Sequence, residues 1–411
     1  MRCQLICVFL LLTIVPALRA DEACWEAKAG KSAEKAQTIQ AALLAVGIED
    51  MSTTVPKSAR PKILAFKEAL VATADAAMQC ETKNAVDARA LESGLARLLF
   101  ANRQDALEER VTHHPSLDSQ AITISDHIYG GRLRISVERS SNTPNLLTIE
   151  ASFRIECGED SLLLVYEWSG GAWHRVIRWQ SPEYKEISGA FGDFFQYALI
   201  PNAGSEGHWA VAVAHGTPWC SSRISNFQID VIRPEGAGQR AIFNYESDYS
   251  RMDVNPVLKR TSDGKGFELR LQRNSSDANL VTYAGIFRYQ VNRDSVQRVQ
   301  PIATNGRGFV EEWLAASWDE AGQWCAPAAL EALKQEHAKM DQQMQSEHPP
   351  AIRYMAVRGC SDDAKHFQVE LQKNPGDPMY FQLQQGENSF TMVSASKNPD
   401  QRCNGINIMK K

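Results

Sequence analysis

The sequence predicts an α+β protein, in which an N-terminal helical unit precedes a β-propeller-like antiparallel domain of four to five four-stranded blades with a helical insert. Three observations carry this prediction. They are an internal repeat, a change of hydrophobic periodicity near His113-His114-Pro115, and short alternating segments that follow one another in sets of four. A β-sandwich of Greek-key strands is the alternative, because it also gives short strands at this spacing.

The repeat covers Leu133–Val165 and Phe267–Val299, which align without a gap at an offset of 134 residues. Ten of the 33 aligned positions are identical. Strand alternation alone would match apolar to apolar residues, but it would not restore residues expected in turns, such as Asp160-Ser161 and Asp294-Ser295. We therefore interpret the two segments as a true internal repeat.

Residues 1–20 have the pattern of a secretory signal peptide, with Arg2 before an apolar run, Leu5–Val15, and Pro16 after it. We expect cleavage after Ala20 and a secreted or periplasmic protein. The apolar run is too short to cross a bilayer, and no later stretch approaches about 20 apolar residues, so no membrane span is expected.

Residues 21–115 are predicted to be helical, because Ala-rich runs carry apolar residues at helical spacing. Gly47 separates the first helix from the second, and Pro61 suits the first turn of the second helix. Two helices joined in this way run antiparallel. A third helix over about Ala85–Glu109 completes the predicted unit.

Residues 116–411 change to alternating segments divided by turn residues. Each repeat copy predicts four strands: Ile122–Ile128, Leu133–Arg139, Leu146–Glu156 and Leu162–Trp168, then Val257–Arg260, Phe267–Arg273, Leu280–Gln290 and Val296–Ile302. Further strands are predicted between the copies and near the C-terminus: Trp173–Trp179, Phe194–Ile200, Trp209–His215, Phe227–Arg233, Ile242–Tyr245, Ile352–Val357, Phe367–Lys373, Met379–Leu383 and Phe390–Ser394. Four consecutive antiparallel strands in about 45 residues resemble a propeller blade in architecture.

Residues 308–347 return to helical periodicity and are predicted to be an insert before the last blade. This segment contains two obvious acid pairs, Glu311-Glu312 and Asp319-Glu320. Because they lie beside tryptophans on an amphipathic pattern, we interpret them as the solvent-facing side of the helix rather than as catalytic acids.

Seven cysteines follow the predicted signal peptide, far apart and without Cys-x-x-Cys spacing, which in an exported protein favours disulfides over a metal site. The antiparallel helices predict a Cys24–Cys80 bond. Cys360 and Cys403 bracket the last four strands and are predicted to pair, and Cys157–Cys220 is the remaining predicted pair. Cys325 is left as the odd thiol.

Several function classes lose their usual sequence signatures. The chain has no Gly-x-Ser-x-Gly elbow, no His-Glu-x-x-His and no phosphate-binding glycine loop. Removal of the predicted signal takes two arginines and no acid, so the formal net charge of −5 becomes −7 and nucleic acid is not an expected partner. We expect no cofactor and no metal site, since His113-His114 is a solvated linker pattern and the spacing of His208 and His215 sends them to opposite strand faces.

Five tryptophans are dense in the first β segments and are the candidate ligand-binding residues: Trp168, Trp173, Trp179, Trp209 and Trp219. Burial of these rings between blades is the simpler interpretation. We expect a binding or interaction protein with a protein or polysaccharide partner, rather than an enzyme. The alternative is a hydrolase that acts on an extracellular glycan with two carboxylates, which come from distant strands and leave no local motif.

Overall fold

The computed structural model of the chain describes residues 20–46, 55–82, 84–100, 129–156, 158–183, 194–204, 208–217, 224–236, 238–250, 255–277, 282–361 and 363–410. Within these residues the protein is a mixed α+β structure with six α-helices and four antiparallel sheets of four strands each. Residues 1–19 of the predicted signal peptide, the predicted strand Ile122–Ile128 and His113-His114 lie outside the described residues.

Three helices form the N-terminal unit: α1 (Ala20–Leu44), α2 (Arg60–Met78) and α3 (Ala88–Leu99). Pro61 lies in the first turn of α2, where its missing N–H costs no hydrogen bond. The Asp87 side chain accepts a hydrogen bond from the backbone N–H of Ala90 and so caps α3. The described part of α3 is shorter than the predicted helix, and residues 101–128 are not described.

Sixteen strands follow in four sheets. Sheet 1 contains β1 (Arg134–Arg139), β2 (Leu146–Ile155), β3 (Gly158–Ser169) and β4 (Ala172–Gln180). Sheet 2 contains β5 (Phe195–Ile200), β6 (Ala210–Thr217), β7 (Ile224–Glu235) and β8 (Gly238–Ser250). Sheet 3 contains β9 (Val257–Arg260), β10 (Gly266–Asn274), β11 (Thr282–Val291) and β12 (Val296–Val299). Sheet 4 contains β13 (Arg353–Gly359), β14 (His366–Gln372), β15 (Pro378–Gln385) and β16 (Phe390–Ser396).

The strand order is sequential in every sheet, so each sheet is an antiparallel meander. Sequential order excludes the Greek-key sandwich for the described strands, since Greek keys place non-consecutive strands side by side. The structure corrects one assignment: the predicted strand Trp173–Trp179 is the fourth strand of sheet 1, not the start of the next sheet. A closed ring of sheets is not seen among the described residues.

Three sheets stack face to face. One face of sheet 1 shares an apolar core with α1, α2 and α3, and its other face packs on sheet 2. The second face of sheet 2 packs on sheet 3. Sheet 4 forms its own core with the inserted helices. The N-terminal helices therefore occupy the face of sheet 1 where a further sheet would otherwise pack.

The two repeated segments form strands in the same order, β1-β2-β3 and β10-β11-β12, but these strands hold different positions in their sheets. The first copy supplies strands one to three of its sheet, and the second supplies strands two to four. Their registers also differ: Val137 pairs with Ile149, whereas its counterpart Leu271 pairs with Gly285 rather than with Tyr283. The repeat thus remains a prediction from the sequence, and equivalent pairing is not observed.

The expected turn role of Asp160 is wrong. Asp160 lies inside β3, is fully buried and contacts Lys67 of α2, whereas Asp294 lies in the exposed β11–β12 turn and contacts Arg233. A buried cation on the docked helix stabilises Asp160 in a strand. The identical residue pair therefore has different structural roles in the two copies.

Glutamine side chains join neighbouring sheets at their edges. The Gln239 amide accepts from the backbone N–H of Arg178 (2.6 Å) and donates to its carbonyl (2.9 Å), which links β8 to β4. Gln196 joins sheet 2 to Leu258 and Pro256 of sheet 3 in the same way. Gln300 pairs with the backbone N–H and carbonyl of Phe390. A primary amide carries both a donor and an acceptor, so it can pair with an edge strand as another strand would.

The insert contains α4 (Gly306–Ala315), α5 (Trp318–Ala321) and α6 (Leu330–Met344). Asn305 caps α4 by accepting from the backbone N–H of Gly308. Phe309, Val310 and Trp313 bury against sheet 4 and α6. The opposite side of α4 faces sheet 3, so this helix lies between two sheets.

Candidate functional site

The candidate tryptophans do not gather on one exposed face. Trp168 and Trp173 are directly opposed on β3 and β4, with ring centroids 5.6 Å apart, and belong to the core shared with the N-terminal helices. Trp179 and Trp209 belong to the core between sheets 1 and 2. Trp219 lies outside the described residues.

A bulge in β4 explains why Trp173 and Trp179 face opposite ways although they are six residues apart. Ile177 pairs with Val165 and Arg175 pairs with Tyr166, so one residue of β4 is skipped in the ladder. An extra residue reverses the side-chain alternation beyond it. Trp179 is thus directed toward sheet 2.

Trp179 is the centre of a polar contact between sheets 1 and 2. Its indole N–H donates to Asp230 Oδ2 (2.8 Å), and its ring lies 4.9 Å from the His215 ring. Asn244 donates to Asp230 Oδ1 at 2.7 Å. Burial would raise the pKa of Asp230, but the His215 imidazole 3.7 Å away and the hydrogen bonds from Trp179 and Asn244 outweigh it and lower that pKa. Asp230 is therefore an ionised carboxylate at neutral pH.

Asp230 is one member of a strip of polar side chains that we call the polar ladder. Its members form three directly opposed pairs on one face of β7 and β8: Asn226 with Asp248, Gln228 with Glu246, and Asp230 with Asn244. Directly opposed side chains in an antiparallel pair lie about 4.5–5.5 Å apart and interact. The residues between them face the apolar core that sheet 2 shares with sheet 3, among them Phe227 and Ile229.

The amides of the polar ladder donate mainly to its own carboxylates. Asn226 and Gln228 donate to Glu246 at 3.2 and 3.4 Å. Asp248 accepts from Asn274 of sheet 3 at 2.8 Å. Three carboxylates and three amide oxygens therefore make the polar ladder rich in hydrogen-bond acceptors and negatively charged.

The β8 side of the polar ladder is open to solvent. Asn244 and Glu246 are exposed, and the side chain of Asp248 is 45% exposed. The sequence carries a signal for this strip, since NFQID alternates polar with aromatic or apolar residues and NYESD places Asn244, Glu246 and Asp248 at alternate positions. Only the cross-strand register shows that the two polar sets lie opposite each other.

The expected solvent exposure of Glu311 and Glu312 is wrong. Both residues of α4 are buried, with Glu312 only 1% exposed. Glu312 lies between two arginines of sheet 3: its Oε2 is 2.7 Å from Arg298 and its Oε1 is 3.5 Å from Arg273. Burial would raise the pKa of Glu312, but these two cations outweigh it and lower that pKa. The sequence could not reveal this, because the arginines come from other strands.

Glu311 lies on the other side of α4 in a second buried cluster. Ser275 donates to Glu311 Oε1 (2.7 Å) and accepts hydrogen bonds from Arg307 (2.9 Å) and from the backbone N–H of Asp277 (3.0 Å). Burial raises the pKa of Glu311 despite these partners. The Ser275 hydroxyl donates one hydrogen bond and accepts two, so it holds the cluster together and is not available as a nucleophile.

A shallow pocket of about 340 Å³ opens between α1 and α3. Trp25 lies in its wall, and the Arg97–Glu22 ion pair (2.8 Å) closes one side. Opposite charges compensate each other here and Arg97 is well exposed, so the pocket offers little electrostatic selectivity.

The structure contains the Cys24–Cys80 bond, which ties the start of α1 to the residues after α2, and the Cys360–Cys403 bond around sheet 4. Cys157 and Cys220 lie outside the described residues. Cys325 is a free, buried thiol that accepts from the Trp313 indole N–H at 3.3 Å. Burial raises the pKa of this thiol, so it is a packing residue and a poor nucleophile.

No protein-family model matches the chain, and no curated protein matches its sequence. In the part of the chain that the structure describes, no helix is long and apolar enough to cross a membrane. Among the same residues, no three potential metal ligands come together.

Proposed function

We propose that the protein is a secreted or periplasmic binding protein, and the polar ladder is the observation that carries this proposal. A sheet face usually buries apolar residues, and on the second face of β7 and β8 the chain does so. The ladder face instead carries six polar side chains in register, and it is open on the β8 side. Amides and carboxylates at such a face supply oriented hydrogen bonds to a ligand.

Two independent features support the proposed compartment. The N-terminal segment has the charged, apolar and small-residue order of a signal peptide. The two disulfides are typical of proteins that fold in an oxidising space. Together they favour function outside the cytosol.

The sheets are blades of a propeller-like stack in this proposal. Sequential four-stranded meanders and the face-to-face packing of sheets 1, 2 and 3 support it. In this proposal the N-terminal helices take the place of a neighbouring blade on sheet 1.

One observation favours the alternative, a glycan hydrolase. Adjacent acids whose pKa values move in opposite directions, as in Glu311 and Glu312, are the arrangement that acid–base catalysis uses. Both acids are held by arginines in buried clusters, however, and general acid–base chemistry needs contact with the substrate. Binding is therefore the better supported function.

A binding assay with the mature protein tests the proposal. Envelope or secretome extract and a polysaccharide panel would be applied to immobilised protein, with glycan turnover assayed in parallel. We expect a saturable ligand whose binding weakens in Asn244→Ala/Glu246→Ala and is unchanged in Glu387→Ala, a matched exposed acid in the β15–β16 turn. Turnover that is lost in Glu311→Gln would contradict the binding function and support the hydrolase.

A further inference from the structure

The outer edge of β8 differs from those of five other edge strands, β1, β4, β9, β13 and β16. Side chains or loops bond the outer backbone of several edge strands: Glu92 bonds Val137 of β1, Gln239 bonds Arg178 of β4, Gln196 bonds Leu258 of β9, Asn407 bonds Val357 of β13, and Ala326 bonds Met392 of β16. Proteins cover edges in this way because an uncovered edge recruits another strand.

β8 is the longest strand among those described, with 13 residues, and it has β7 as its only sheet neighbour. Arg273 bonds the backbone carbonyl of Asp248 near one end. Over residues 240–247, no hydrogen bond to the outer backbone of β8 is seen among the described residues. This central stretch is therefore an available strand edge.

The side chains of β8 show what this edge would accept. Asn244, Glu246 and Asp248 alternate along one face and belong to the polar ladder, while Phe243 and Tyr245 on the other face pack toward sheet 3. A strand added beside β8 would place alternate side chains about 5 Å from Asn244, Glu246 and Asp248. Its other side chains would lie near Phe243 and Tyr245. The complementary sequence alternates basic with apolar or β-branched residues.

Resting on the proposed binding function, we propose that β8 docks an extended basic segment of a partner protein as a fifth strand of sheet 2. Its main chain pairs with the backbone of residues 240–247, which gives affinity, and its lysines or arginines pair with Glu246 and Asp248, which gives specificity and register. Charge complementarity favours this occupant over a glycan, because the amide donors of the polar ladder already bond its own carboxylates.

The test uses the mature full chain and a short synthetic peptide that alternates lysine with threonine or valine. Binding would be measured by fluorescence anisotropy at low and physiological salt, and hydrogen exchange would be followed over residues 238–250. We expect saturable, salt-sensitive binding that slows exchange in β8. Glu246→Lys should weaken it about tenfold or more, and Glu387→Lys, the matched control, should leave it unchanged.

Backbone pairing has its own control. Two peptides would be made, one N-methylated at the odd-numbered residues and the other at the even-numbered residues. Only one of these two methylation frames removes the N–H groups that would face β8. We expect one frame to abolish binding and the other to retain it. Equal binding in both frames, or exchange protection outside β8, would overturn strand addition.

The outcomes separate this inference from the proposed function. If the peptide fails to bind while an oligosaccharide binds and is weakened by Asn244→Ala/Glu246→Ala, the ladder is a glycan site, so the strand inference is wrong and the binding function stands. If a protein partner crosslinks to a photoreactive residue at position 387 and not at position 246, the inference is also wrong. Crosslinking at 246 to a basic extended segment supports it.

Discussion

Two helices dock on sheets through buried charge, and the two junctions have opposite polarity. At the N-terminal junction α2 supplies the cation: Lys67, 1% exposed, lies 3.3 Å from the Asp160 carboxylate and donates to the Ser181 carbonyl at 3.0 Å. At the second junction α4 supplies the anion, Glu312, and sheet 3 supplies Arg273 and Arg298. One buried acid thus serves two cations at the second junction, while Glu320 lies 3.6 Å from Arg298 and Asp248 lies 3.9 Å from Arg273.

The two junctions differ in how much each depends on a single residue. Arg298 also stacks 4.0 Å over the Phe287 ring, so its charge has an aromatic face in addition to Glu312. Loss of Glu312 nevertheless leaves two buried guanidinium groups with only the more distant and more exposed acids Asp248 and Glu320. Loss of Lys67 leaves one buried carboxylate, that of Asp160, without the lysine charge.

The largest expected effect is that of Glu312→Gln. Removal of the shared acid should lower the free energy of unfolding by about 5 kcal/mol, because two buried cations lose their nearest counter-charge. Urea unfolding at neutral pH measures it. Glu331→Gln, an exposed acid on α6, is the control and should change stability by less than about 0.5 kcal/mol. A loss of stability in Glu312→Gln no larger than in this control would show that the second junction does not depend on Glu312.

Lys67→Met should cost about 4 kcal/mol, since it leaves Asp160 buried without its cation. The double variant Lys67→Met/Asp160→Asn should recover part of that loss, because neither residue of the pair is then charged. Urea unfolding of Lys67→Met, Asp160→Asn, the double variant and the unchanged protein gives the coupling. Additive losses would show that Lys67 and Asp160 do not act as a pair.

The Cys24–Cys80 bond adds a covalent constraint to the N-terminal junction. Its sequence separation of 56 residues removes much freedom from the unfolded chain, so Cys24→Ser/Cys80→Ser should cost about 3 kcal/mol. Thermal unfolding measures the loss. Non-reducing peptide mapping provides the control, and free, alkylatable Cys24 and Cys80 in the mature protein would contradict the prediction.

Glu150 lies between sheets 1 and 2. In contrast to the charged groups at the two helix junctions, no salt bridge to it is seen among the described residues. Burial raises its pKa to about 7, against a weaker lowering by Arg134. The unfolded chain releases this proton near pH 4.5, so the stability from neutral Glu150 is present below pH 4.5 and is lost as pH rises through about 7. Glu150→Gln should remove that loss and stabilise the protein by about 2 kcal/mol above pH 7.

The measurement is urea unfolding of both proteins across this pH range. Their difference should be small in acid and should grow toward neutral pH. Parallel pH profiles would mean that Glu150 titrates normally, and that burial without a bonded cation is tolerated at this junction.

Much of the fold was predictable because its signals are local. Period-2 alternation located most described strands to within a few residues, with Val257–Arg260 observed as predicted. The exception is β8, for which Ile242–Tyr245 was predicted and Gly238–Ser250 is observed. Antiparallel helices predicted that Cys24 and Cys80 would be adjacent, and the structure joins them. The insert was found from its helical periodicity, and its helices are α4, α5 and α6.

The candidate site was predicted less well. Trp179 was identified, but its partners Asp230 and His215 come from other strands and share no local motif with it. The bulge in β4 places Trp173 and Trp179 on opposite faces, and a single extra residue of this kind leaves no mark in a hydrophobicity pattern. The three rungs of the polar ladder depend on β7–β8 register.

The sequence by itself determined the succession of helices and strands, the export signal pattern and the disulfide partners that antiparallel helices bring together. Tertiary structure alone decided which strand belongs to which sheet, that Glu311 and Glu312 are buried, and that β8 is an edge strand. The physical reason is range. Periodicity and turn chemistry act between near neighbours, whereas the burial of a charge and the covering of an edge depend on groups brought from distant parts of the chain.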